Sequence, residues 1–148
     1  MLRGIDPLLS PDLLKILREM GHGDEIAIVD ANYPAASNAA RLVYMPGISA
    51  TDALGAILSV LPLDTYVDCA AHVMAVVGDP ERTEPIMLEF QALIDDRAVE
   101  DVTIGRIERF AFYERVKRAF AVGVGGRLHR LALRQPGGIT PLVRMTLP

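Results

Sequence analysis

The sequence predicts an α/β layer fold. Three observations lead there. Segments with helical apolar spacing alternate with short runs rich in branched residues. Hydrophobic residues make up 51% of the 148, enough for one real core. No repeat, linker or low-complexity stretch divides the chain, so residues 1–148 are expected to form a single domain.

The first helix is the clearest element. Ser10 is a good N-cap, Pro11 suits the first helical position, Leu13, Leu14, Leu17 and Met20 form one stripe, and Gly21 ends it. Glu25 to Asp30 is too short for a helix and rich in branched residues, so it reads as a buried strand ending in a carboxylate. Asn32-Tyr33-Pro34 forces a loop, and Arg41 to Met45 is a second strand closed by Pro46-Gly47. Ser49 or Thr51 caps a helix through Leu61 that stops before Pro62. The apolar run Val67 to Val77 ends at the turn signal Gly78-Asp79-Pro80 and predicts a central strand. Glu84 to Arg97 has helical spacing, Val102 to Ile104 suits a short strand, Glu108 to Phe120 a helix, and Ala121 to Val124 the start of a strand. Gly125 to Pro148 is rich in Gly and Pro and has weak periodicity.

Composition excludes several classes. Charged residues at 23% and a net charge of −4 are far from a disordered composition. Nineteen acidic against fifteen basic residues leave no general positive field for nucleic acid, and no Trp is available for base stacking. The N-terminus lacks a long apolar region, and Asp68 and His72 break the run at Val67 before it could span a membrane. The lone Cys69 cannot form an internal disulfide and reads as a small buried hydrophobe. A reduced, soluble, cytoplasmic protein is expected.

Polar groups that could do chemistry flank the predicted strand. His22, Gly23 and Asp24 follow the first helix, and Asp30 ends the strand. His22 has the side chain best suited to acid/base work near neutral pH; equally, a histidine at a helix C-terminus is favoured by the dipole alone. His22, Asp24 and Asp30 are ordinary metal-ligand types, but their spacing matches no metal motif, and His72 and His129 have no partnered motif. His72, set among Ala70, Ala71, Val73 and Met74, reads as a hydrogen-bonded core histidine. Gly123 to Gly126 lacks the spacing of a dinucleotide loop, no P-loop or Gly-x-Ser-x-Gly elbow is present, and Cys69 has no activating neighbour.

Three stretches together carry a family resemblance: Ile5 to Glu25 with its Met20-Gly21-His22-Gly23-Asp24-Glu25, Asp30 to Pro34, and Arg109 to Ala121 with its Arg-Phe-Ala-Phe-Tyr-Glu-Arg. The sequence resembles the L-fucose mutarotase and D-ribose pyranase family over about its first 120 to 125 residues, closer to the fucose branch. The resemblance implies a three-layer α/β/α domain on a mixed, mainly parallel sheet. It also implies a ring-shaped homo-oligomer, a decamer by the family pattern, with sites between subunits and a monosaccharide substrate. No cofactor and no metal are implied. By position, His22 resembles the proton-transferring residue, Asp30 and Arg109 resemble substrate ligands, and Tyr113 resembles a further catalytic residue. Asp24 is expected to orient His22 from behind.

The implied activity is interconversion of the α and β anomers of L-fucose or a similar pyranose. Ribose pyranase-like activity, or a sugar-binding or assembly protein without turnover, are the alternatives. One departure stands out. The family carries Tyr-Gly-Asn before its last apolar strand; with Leu131 to Arg134 aligned on that strand, Leu128, His129 and Arg130 stand there instead. Weaker sugar binding and an irregular tail beyond Arg134 are expected from this divergent segment, residues 125–148.

Overall fold

A computed structural model describes residues 3–98, 101–126 and, as backbone, 131–134. In chain order the elements are α1 (Pro11–Glu19), β1 (Glu25–Val29), α2 (Ala35–Asn38), β2 (Leu42–Tyr44), α3 (Ala50–Leu58), β3 (Ala71–Met74), α4 (Pro85–Arg97), β4 (Ile104–Ile107), α5 (Arg109–Arg118), β5 (Ala121–Val124) and β6 (Leu131–Arg134).

Local chemistry sets the helix ends. Ser10 Oγ accepts the amide of Leu13 at 3.2 Å, Pro11 opens α1, and the amide of Met20 closes it on the Ile16 carbonyl. Ser49 caps α3 through the Asp52 amide at 3.0 Å. Glu108 caps α5, its carboxylate accepting from Phe110 at 2.7 Å and Ala111 at 3.1 Å. A carboxylate in that place also suits the positive end of the helix dipole.

Six strands form one sheet in the order β2-β5-β1-β6-β3-β4. β1, β2 and β5 pair in parallel, as do β3 and β4. β6 alone runs the other way, inserted between β1 and β3. The α/β/α expectation with a mixed, mainly parallel sheet is met.

β1 shows why both faces are covered. Its alternate residues Ile26 and Ile28 pack into one core with Leu13 of α1, Leu54 and Ile57 of α3, and Phe90 and Ile94 of α4. Ala27 and Val29 enter a second core with Phe112 and Val116 of α5 and Ala35 of α2. A strand buried on both sides reads as an unbroken apolar run, which is how Ile26 to Val29 appears in the sequence.

Three sequence expectations are corrected. The predicted strand Val67 to Val77 pairs only over Ala71–Met74, because a turn at Asp64 precedes it and both of its partners are four residues long. The strand expected at Val102 to Ile104 lies at Ile104–Ile107; Gln91 of α4 binds the Val102 carbonyl at 2.8 Å and the Ile104 amide at 3.0 Å, so a side chain takes the strand's place up to Ile104. Cys69 is half-buried rather than a core residue. The glycines at 123–126 have a packing reason: a Cβ on Gly125 would come within 2.8 Å of the Ile48 carbonyl oxygen. The expected irregular tail beyond Arg134 lies outside the described residues.

Candidate active site

The carboxyl ends of β1, β3 and β4 meet at one edge of the sheet, the edge at which open α/β sheets build sites. At this edge β1 runs into Asp30, a carboxylate only 3% exposed. Its Oδ1 accepts the amide of Asn32 at 2.7 Å and its carbonyl accepts the amide of Tyr33 at 3.1 Å, a turn built by an Asp side chain on its own backbone. Asp30 opens on a cavity of about 360 Å³ walled by Val73 to Val77 from the end of β3, by Ile86, Met87 and Phe90 of α4, and by Glu84. The lining is apolar with two carboxylates on it, the composition of a small-molecule site whose few polar groups fix orientation.

Arg109 stands at the start of α5, directly after β4, and lines an adjoining cavity of about 340 Å³ with Arg106, Glu108 and Phe110. Its guanidinium lies 4.6 Å from the Phe110 ring centre. Ala75, Val76 and Val77 form a wall common to both cavities. One helical turn beyond Arg109, the ring of Tyr113 stacks on Tyr33 at 5.0 Å between centroids and 38° between planes. Tyr33 is itself 4% exposed. The tyrosine pair ties α5 to the loop that leaves Asp30, so Asp30, Arg109 and Tyr113 belong to one end of the sheet.

His22 belongs to the other end. It is exposed in the turn between α1 and β1, with Gly23 beside it at φ +89°. Asp24 closes that turn, its Oδ2 accepting the Gly21 amide at 2.8 Å. The five residues of β1 lie between this turn and Asp30, a separation of about 16 Å from strand rise alone. The structure therefore places Asp30, Arg109 and Tyr113 at one end of the sheet, Asp30 and Arg109 on adjoining cavities, and leaves His22 and Asp24 at the other end. Leu128, His129 and Arg130 lie outside the described residues.

Sequence reasoning passed over Tyr33, Glu84 and Arg106. Tyr33 had a signal, an aromatic beside a proline just after a strand-ending carboxylate. Glu84 and Arg106 had none, since only the return of α4 and β4 beside β3 brings them to the cavities.

His72 is buried, as expected of a core histidine, but its Nδ1 has no hydrogen-bond partner among the described residues. Burial, aided by the positive charge of Arg115, lowers its pKa to about 4, so the ring is neutral at pH 7. Arg115 in turn meets Glu25 at 3.3 Å in a largely buried pair. Among the described residues no three His, Cys, Asp or Glu side chains converge as metal ligands. No helix among them is long and apolar enough to cross a membrane.

The fold is thus an α/β layer fold with two adjoining cavities at the carboxyl ends of its parallel strands. Residues 3–129 match the RbsD / FucU transport protein family, and the chain belongs to it. Among solved structures, the fucose mutarotase of Streptococcus pneumoniae in complex with L-fucose is 38% identical, with a TM-score of 0.83 over 93% of this chain and 100% of that one. FucU from Bifidobacterium longum is 41% identical, with a TM-score of 0.80 over 93% and 100%. RbsD of Bacillus subtilis, complexed with D-ribose, is 18% identical with a TM-score of 0.69 over 94% and 100%, a likeness of fold. The resemblance to the fucose branch is thereby upheld.

Proposed function

We propose that this protein is a cytoplasmic, cofactor-independent mutarotase that interconverts the α and β anomers of L-fucose or a similar pyranose. The observation that carries this reading is the end-to-end match, at 38% identity, to a fucose mutarotase solved with L-fucose. The site chemistry suits it. The anomeric hydroxyl gives up its proton while the ring oxygen gains one, and the bond between anomeric carbon and ring oxygen breaks. The open-chain carbonyl then turns and the ring recloses on its other face.

Proton transfer by positioned side chains supplies about 10²–10⁴-fold in such steps. In this reading His22 and Tyr113 move the protons, Asp30 and Arg109 hold hydroxyls, and Asp24 sets His22 by closing its turn. Because β1 separates His22 from Asp30, the reading requires His22 of a second copy to reach the Asp30 edge of the first. The active form is then a homo-oligomer, a ring as in the family pattern, with the site shared between subunits.

Exchange between anomer signals in saturation-transfer NMR tests the proposal. Protein-dependent acceleration is expected with L-fucose, and less or none with D-ribose and D-galactose; no acceleration with any of them would reject it. Acceleration greatest with D-ribose would move the assignment to the pyranase side of the family. The Leu128-His129-Arg130 departure favours a second reading, a sugar-binding protein without turnover. Sugar-dependent shift changes without faster exchange would select that one.

A further inference from the structure

The loop from Val77 to Thr83, between β3 and α4, is exposed at every residue and so has no apolar anchor of its own. Yet its first residue walls both cavities and its end delivers Glu84 to the Asp30 cavity. Internally it holds one tight turn, Asp79 amide to Val76 carbonyl at 3.2 Å, with Gly78 at φ +84° where a side chain would strain the backbone, and a second from Arg82 to Asp79 at 3.1 Å.

Across from it, Arg106 projects from β4, one of the two edge strands of the described sheet. Its Nη1 donates to the carbonyl of Pro80 at 3.2 Å and to that of Glu81 at 2.5 Å, and its Nη2 donates to Thr83 Oγ1. A second side chain from outside the loop, Glu84, meets Arg82 at 2.8 Å, close to where the chain enters α4. A planar guanidinium spreads its five N–H donors over three nitrogens in a fixed fork, whereas an ammonium offers its three donors from a single point.

We infer that Arg106 is a positioning residue that holds the Val77 to Thr83 loop, whose first residue walls both cavities and whose Gly78, Pro80 and Glu81 line the second, in the shape that receives the sugar. Both terminal nitrogens donate to the loop, three of the five N–H groups in all, so the residue is placed to act through the loop. Ordering this wall in advance removes a cost that binding would otherwise bear. The inference rests on the mutarotase reading for the identity of the ligand, but the loop order it asserts can be measured without any sugar.

Arg106→Met and Arg106→Lys, compared with the unaltered protein, test it by two readouts. The first is hydrogen exchange of the amides at 77–83. The second is anomer exchange against L-fucose concentration, separated into KM and kcat. Arg106 is exposed, so both variants should fold. In Arg106→Met the loop amides should exchange roughly tenfold faster and KM should rise roughly three- to tenfold, with kcat within about twofold. Arg106→Lys should recover part of both effects. Raised KM with unchanged loop exchange would make Arg106 a direct sugar ligand and overturn the inference. Faster loop exchange at unchanged KM, or no change in either, would overturn it as well. An unaltered protein inactive on every sugar would instead remove the mutarotase reading, and the assignment to a sugar site with it.

Discussion

At its Glu25 end β1 emerges from an exposed glycine turn that carries His22, whereas at its Val29 end it runs into Asp30, which is 3% exposed and opens on a cavity. The Asp30 end is built in advance. Its carboxylate is fixed by its own turn, its neighbouring tyrosines are stacked, and its walls come from the ends of β1 and β3 and from α4. The His22 end offers one imidazole in water, a side chain that gains a defined geometry only when something packs against it. In the proposed mechanism, a binding half and a proton-carrying half placed at opposite ends of one strand make a working site only where the end of one copy meets the other end of the next.

Removing the side chain at each end should have different consequences. His22→Ala should lower anomer exchange by about 10²–10⁴-fold. Its unfolding free energy should stay within about 0.5 kcal/mol, since the residue is exposed. Paired NMR exchange and urea unfolding measurements read both quantities, and an active His22→Ala variant would take the residue out of the mechanism. Asp30→Ala should behave differently and lose on both counts. The Asn32 amide loses a part-buried hydrogen bond to a charged acceptor, at a cost of about 1.5–3 kcal/mol, and apparent sugar affinity falls roughly tenfold or more. Equal stability losses from the two variants would contradict the contrast.

Between the two ends lies His72, whose burial makes stability depend on pH. The folded protein resists protonating this ring until about pH 4, while the unfolded chain takes the proton at the ordinary value of 6.5. Its contribution is therefore complete above about pH 6.5 and is lost as pH falls toward 4, by up to about 3 kcal/mol. Urea midpoints at pH 7 and pH 4.5 should differ more for the unaltered protein than for His72→Asn. Equal differences would show that the ring titrates as it does in water.

Much of the fold was legible because local chemistry set it. Ser10-Pro11 and the stripe at Leu13 and Leu17 define α1 without tertiary help, and the branched run Ile26 to Val29 can only be a doubly buried strand. α2 was missed because four residues after Pro34 carry no periodicity. β4 was displaced because Gln91, thirteen residues away from Ile104, occupies the position a strand partner would take. β6 gains its register from β1 and β3 together, long-range pairing that no local pattern in Leu131 to Arg134 encodes. At the site, His22 and Asp30 look like neighbours in the sequence, eight residues apart on either side of a strand. An extended chain turns that short interval into a long distance, so the candidate residues were legible one by one and their separation was not.

The central claim, that one site takes His22 and Asp30 from different copies, is tested most directly by mixing two inactive variants. Protein carrying only His22→Ala and protein carrying only Asp30→Asn would be unfolded together and refolded as a mixture, with mixed assembly verified by native mass spectrometry. The account predicts that anomer exchange returns to about a quarter of the unaltered rate, because random mixing gives about one interface in four an intact His22 facing an intact Asp30. Mixed oligomers that remain as inactive as their parents would contradict it.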